Sequence, residues 1–156
     1  DARRPAAGAT YAVGAAVEDV KWDPATPTTL VAADERGRLV AFDVRTAARP
    51  LWAADAHAGG CSALAFSNGA AGLAATAGAD GAAALWDVTG AAPVEICRRG
   101  LEVGELFAVA FDAVDPMVLA AAGAAGTVAL WDAKGESDAA AAWWVERGRP
   151  LGGASA

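Results

Sequence analysis

Short apolar runs alternate with single polar or turn-forming residues along most of the 156-residue chain, in stretches of six to eight residues. Cys61 to Ser67 alternates apolar residues and is predicted as an inner strand. Further strands are predicted at Leu73 to Ala77 and Ala82 to Asp87, with an outer strand at Pro93 to Cys97. Ala79-Asp80-Gly81 joins the second and third as a hairpin, Gly81 supplying a positive φ. The same order is read upstream, at Val17–Trp22, Leu30–Ala33, Arg38–Asp43 and Arg49–Ala53, and downstream at Leu106–Phe111, Met117–Ala122 and Thr127–Asp132. Pro24 and Pro116 fall in turns, where a missing N–H breaks no ladder. Residues 10–13 read as the outer strand of a preceding unit, and Trp143-Trp144-Val145 as the outer strand of the last. Ala139 to Val145 also suits a helix, because Ala is the best helix former. Elsewhere Gly, Pro or Asp cuts the Ala-rich runs too often for helices, and strand is the reading through residue 132.

These units recur. Phe42-Asp43, Trp86-Asp87 and Trp131-Asp132 lie 44 and 45 residues apart, each closing a strand. Val17, Cys61 and Leu106 keep the same phase, as do Val20, Leu64 and Val109, then Trp22, Phe66 and Phe111, then Gly37, Gly81 and Gly126. A period of this size marks an array of small radial sheets. The expected fold is all-β, a propeller of about three consecutive four-stranded blades, and the pattern resembles WD repeats. The blades are read as residues 17–53, 54–97 and 98–147, flanked by an N-terminal segment, 1–16, and a disordered tail, 148–156. Propellers usually hold four to eight blades, and the ends of an open array expose apolar faces. The ring is therefore expected to be incomplete: a piece of a longer propeller, or one completed by another chain.

Composition narrows the functional classes. With 55% hydrophobic and 20% charged residues the chain can build a core. Much of that apolar content is Ala, so the six Trp and four Phe carry a large share of the packing. A formal charge of −7 argues against a general grip on nucleic acid, which needs a basic face. Arg3-Arg4 and Arg98-Arg99 read as solvated surface pairs. No apolar stretch long enough for a membrane helix is uninterrupted by Gly or charge, and the N-terminus lacks the apolar run of a secretory signal. Cys61 and Cys97 fall on the inner and outer strands of one blade, roughly 14 Å apart, beyond the reach of a disulfide. Both are expected as free thiols in a reducing, intracellular compartment.

The single histidine, His57, is the first candidate for catalysis. In WD repeats, however, a His in this loop joins a Ser or Thr of the second strand, an Asp of the hairpin turn and the Trp of the third strand. The matching residues are His57, Thr76, Asp80 and Trp86, a structural tetrad whose polar groups satisfy one another inside a blade. The equivalent positions are Val13, Ala32, Arg36 and Phe42 in the first unit, and Glu102, Ala121, Ala125 and Trp131 in the third. The flanking blades are thus expected to rest on apolar packing, and loss of Asp80 to destabilise more than loss of Asp34 or Asp112. The glycines of Gly78-Ala-Asp-Gly81 and Gly123-Ala-Ala-Gly126 read as hairpins, since a dinucleotide loop needs three spaced glycines and a following helix. One His and two separated Cys make no tetrahedral metal set, and no catalytic residue or cofactor is expected. Trp22, Trp86 and Trp131 are assigned to blade packing. Adjacent residues on a strand face opposite ways, so one of Trp143 and Trp144 is expected on the surface as a partner contact.

The details resemble one family, the periodic tryptophan protein 1 family of eukaryotic WD-repeat factors, in its C-terminal propeller half. The residues concerned are Val20-Lys21-Trp22, Asp43-Val44-Arg45, Ala56-His57, Thr76-Ala77-Gly78-Ala79-Asp80 and Leu85-Trp86-Asp87. They continue in Val103-Gly104-Glu105-Leu106-Phe107, Asp115-Pro116 and Leu130-Trp131-Asp132. The resemblance implies a nuclear, largely nucleolar, non-enzymatic scaffold in ribosomal RNA production, with pre-ribosomal or chromatin-associated proteins as partners. The alternative is the substrate receptor of a cullin-type ubiquitin ligase. Phe42-Asp43-Val44-Arg45 is similar to the box by which such receptors dock on their adaptor, with Arg45 as the contact.

Overall fold

The computed structural model describes residues 8–46 and 49–147. Eleven strands form three antiparallel sheets. The first blade takes the order β1 (Val17–Trp22), β2 (Thr29–Asp34), β3 (Arg38–Asp43), β4 (Pro50–Asp55). The second follows as β5 (Cys61–Phe66), β6 (Leu73–Gly78), β7 (Ala82–Asp87), β8 (Val94–Gly100). The third has three strands, β9 (Leu106–Phe111), β10 (Val118–Gly123) and β11 (Val128–Asp132). Two helices come next, α1 (Ala133–Glu136) and α2 (Asp138–Arg147). The arrangement is an incomplete propeller, with β1, β5 and β9 as neighbouring inner strands.

The repeat phase reappears in the register. Leu64 pairs with Thr76 and Thr76 with Ala84; one repeat on, Val109 pairs with Ala121 and Ala121 with Ala129. A bulge recurs near the start of all three inner strands, which increases local twist. Each blade turns one face back toward its predecessor and one forward. Val31, Ala33, Leu39 and Ala41 of blade one meet Leu64, Ala74, Ala84 and Trp86 of blade two. Ala75 and Leu85 on the other side of blade two meet Leu106, Leu119 and Trp131 of blade three. All residues of β6 and β7 are buried. The small Ala positions let sheets approach, while each buried Leu or aromatic side chain stabilises by about 1.5–3 kcal/mol.

Four expectations need correction. Trp143-Trp144-Val145 lies within α2, not in an outer strand. Ser137 Oγ accepts from the Ala140 N–H at 3.3 Å, capping a run of four Ala that has no strand partner. Residues 10–13 form no strand. Tyr11 instead lies over blade one, its ring 5.3 Å from that of Phe42 and its hydroxyl donating to the Val44 carbonyl at 2.9 Å. Trp22 is 52% exposed, because among the described residues no blade covers the face on which its counterparts Phe66 and Phe111 are half-buried. The outer strands also run further than expected, to Asp55 in β4 and Gly100 in β8. Both cysteines are free thiols; burial and nearby carboxylates push Cys61 up to about 12. Arg3-Arg4 and the tail from residue 148 lie outside the described residues. Among the described residues, no helix is long and apolar enough to cross a membrane.

Candidate functional site

The loop between β4 and β5 carries His57 into the middle blade. Its backbone N–H and that of Ala56 both donate to the Gly37 carbonyl, at 2.9 and 2.8 Å, so the hairpin turn of blade one fixes the loop. Gly37 has φ +83°, and a Cβ there would lie 2.1 Å from the His57 carbonyl oxygen. Glycine is required for that approach. Gly78 has the same role from the other side, since a Cβ would lie 2.3 Å from the imidazole.

The imidazole is fully enclosed, and both nitrogens are engaged. Nδ1 lies 2.9 Å from Asp80 Oδ1, and Nε2 lies 2.8 Å from Thr76 Oγ1. Trp86 Nε1 donates to the same Thr76 oxygen at 2.9 Å. One assignment of protons satisfies every group: indole N–H to Thr76, Thr76 hydroxyl to Nε2, and Nδ1–H to the Asp80 carboxylate. The environment of His57 favours the neutral imidazole. Burial pushes its pKa down, outweighing the upward pull of the Asp80 carboxylate, and the Arg98 guanidinium pushes the same way. For Asp80, burial works upward, but hydrogen bonds from Ala82 and Ala58 N–H groups and the imidazole leave the carboxyl below its ordinary value. His57, Thr76, Asp80 and Trp86 therefore meet in one buried chain.

Arg98, read from sequence as a solvated charge, borders this chain. It donates to the Ala56 carbonyl, pairs with Glu95 at 2.6 Å and reaches Asp80 at 3.5 Å. Arg99 pairs with Glu136. Their cross-strand positions set these contacts: Arg98 on β8 lies opposite Ala84, a register the Arg-Arg dipeptide does not reveal.

Blade one has a polar core of its own, which corrects the expectation of purely apolar packing there. Asp34 is completely buried. It accepts from the Arg36 and Arg38 N–H groups and from Arg38 Nε at 2.9 Å, and Arg38 also donates to the Val13 carbonyl. The signal was the Asp34-to-Arg38 spacing across a tight turn, which brings the two side chains to one side of the hairpin.

The three repeat aspartates serve three different ends. Asp43 takes a bidentate pair from Arg45, at 2.9 and 2.6 Å, which holds its pKa at about 2. Asp132 caps α1, accepting from the Gly135 N–H at 2.9 Å. Asp87 accepts from Thr89, from Trp143 Nε1 at 2.9 Å and from Arg147 at 2.6 Å, and so fastens α2 to blade two. Trp143 is 8% exposed, and Trp144 is half-buried with Lys134 Nζ 5.8 Å from its ring. One of the two was expected on the surface as a partner contact; both instead make contacts within the chain. A cavity of about 610 Å³ runs along the inner strands past Asp19, Leu64 and Val109, and His57 does not line it.

The fold and this polar chain define a propeller-like repeat protein with a fastened middle blade. No protein-family model matches the chain, and no curated protein matches it in sequence.

Proposed function

We propose that the chain is a non-enzymatic WD-repeat scaffold of ribosome biogenesis, working in the nucleolus by presenting blade edges and loops to pre-ribosomal proteins. The observation that carries this reading is the state of His57. The one side chain with a pKa naturally near neutrality has both nitrogens spent on Thr76 and Asp80. Both nitrogens of the imidazole serve the blade. Among the described residues no three His, Cys, Asp or Glu side chains converge as a metal set. The ribosomal assignment rests on the resemblance carried by Val103-Gly104-Glu105-Leu106-Phe107 and the repeat signature.

Arg45 bears on the ubiquitin-ligase alternative. Asp43 holds Arg45 through Nε and Nη2, so the guanidinium is turned back onto its own blade, which favours the scaffold reading. Affinity capture of the tagged chain from growing eukaryotic cells separates the two. Co-purification of large-subunit precursor RNA and assembly factors supports the proposal. Enrichment of a cullin and its adaptor, abolished by Arg45→Ala, contradicts it.

A further inference from the structure

Two grooves lie side by side at the end of the sheets that carries the β1–β2 turn, and only one of them is filled. Between blades two and three, α2 packs Ala140 and Trp143 into a cluster with Ala70, Leu73, Ala75, Ile96, Cys97 and Ala133. One repeat earlier in the chain, these six positions become Thr26, Thr29, Val31, Leu51, Trp52 and Val88. The register fixes the match on the outer strands. Trp52 lies opposite Ala41 and Cys97 opposite Leu85, and the bulge that follows holds Leu51 in one blade and Ile96 in the other. All six line an open cavity of about 400 Å³ between blades one and two. The link from β4 to β5 crosses at the other end of the sheets, beside Gly37, and leaves this cavity uncovered among the described residues. Ala70 and Ala133 are fully buried under α2, whereas Thr26 is exposed, Val88 half-buried and Leu51 51% exposed.

We propose that the groove between blades one and two binds an amphipathic helix of a partner protein, anchored by a tryptophan, as α2 fills the next groove. Its walls come from blades one and two alone, each with all four strands, so the site is whole however the array continues at either end. Its apolar positions match those that already accept an Ala-faced helix carrying a Trp, the helix-in-groove mode of recognition. The polar element matches too. The Trp143 indole donates to a carboxylate, Asp87, at 2.9 Å, and Asp23, 5% exposed, brings a carboxylate to the wall of the open cavity. No lining residue is basic, so an aromatic with an N–H donor is preferred there to Phe. A basic residue one turn later is preferred to an acidic one, as Arg147 follows Trp143 in α2. The chain's own α2 is held in its groove by Asp87, which leaves the open one to a helix from another protein. The ligand rests on the scaffold reading only in being a protein. Because the experiment uses purified components, its outcome is separate from that of affinity capture.

Titration of an acetylated, amidated peptide of residues 137–147 into the whole chain, with Val and Leu methyls labelled for NMR, tests this. Saturable shifts are expected at Val31, Leu51 and Val88. A Trp143→Ala peptide should bind about tenfold more weakly or worse, the loss typical of an aromatic anchor. Leu51→Asp in the protein should weaken binding to the same degree, while Val114→Asp, on an exposed turn of blade three, should bind as wild type does. Should Leu51→Asp misfold, Thr26→Trp fills the cavity from an exposed turn and should likewise block the peptide. Absence of a saturable shift at millimolar peptide overturns the inference. So do shifts centred on Leu73 and Val94, where the peptide would displace α2 from its own groove, and undiminished binding by the Trp143→Ala peptide.

Discussion

Thr76 joins two long side chains through one oxygen. It takes the Trp86 indole proton and gives its own to His57, so removing that oxygen orphans two buried groups at once. Each orphaned buried group costs about 1–3 kcal/mol. Thr76→Val, equal in shape, should destabilise by about 2–3 kcal/mol in urea titration, whereas an exposed Thr such as Thr46 replaced by Val should change little. Asp34→Ala should cost about 3 kcal/mol, because it strands the Arg38 guanidinium in a partly buried site. It should rival Asp80→Ala, and both should exceed Asp112→Ala, whose partners are exposed loop amides. His57 makes the stability depend on pH near neutrality. Its folded pKa lies below the unfolded value of about 6.5. Its contribution is full above 6.5 and is lost as pH falls from there toward the folded value. Wild-type stability should drop between pH 7.5 and 5.5 in paired urea titrations, and His57→Asn should flatten that slope. The four residues of this chain were legible because each sits at a fixed repeat position. Arg98 and the Asp34–Arg38 pair were not read, since a charged residue near a turn looks solvated until the register puts a carbonyl or carboxylate beside it.

At the level of elements, the strands follow directly from period-two alternation and from glycines such as Gly81 that require positive φ. Short runs interrupted every six to eight residues leave no other regular structure. The sequence left helix and strand both open at Ala139 to Val145, because Ala139 to Ala142 bury little and fit either period. What selects a helix is the Ser137 cap and the reach of Trp143 and Arg147 back to Asp87, a contact across more than fifty residues that no local pattern encodes. That contact is the main fastening of α2. Trp143→Ala should cost about 3–4 kcal/mol by cavity formation and should release α2 first, seen as fast amide exchange at residues 138–147 while β6 remains protected. For Asp87, burial works upward, but the Thr89 and Trp143 hydrogen bonds and the Arg147 charge leave its pKa below the ordinary carboxylate value. A lowered folded pKa means stability present above the unfolded value, about 3.9, and lost as pH falls through the folded one. The helix should therefore stay docked at pH 5 and loosen below about pH 4, and in Asp87→Asn it should exchange fast at both.

For the molecule as a whole, stability in a repeat array is a sum of blade terms and junction terms. Blade two has both faces covered, the His57 chain inside it and α2 against its outer strand. Blade one has one face covered by blade two, part of the other covered by Tyr11, and a buried ion pair; blade three has one covered face and, among the described residues, no polar chain and an unpaired edge at β11. The period alone indicated that lateral junctions hold the array together. Trp22 at one end and Leu130 at the other are exposed among the described residues, although repeat phase treats those positions as core. Native-state amide exchange followed by NMR measures this ordering blade by blade. The slowest-exchanging amides should lie in β6 and β7, from Leu73 to Asp87, with β1 and β11 opening at much lower free energy. Equal protection across all three sheets, or a maximum in blade one or blade three, would contradict an array held through its middle blade.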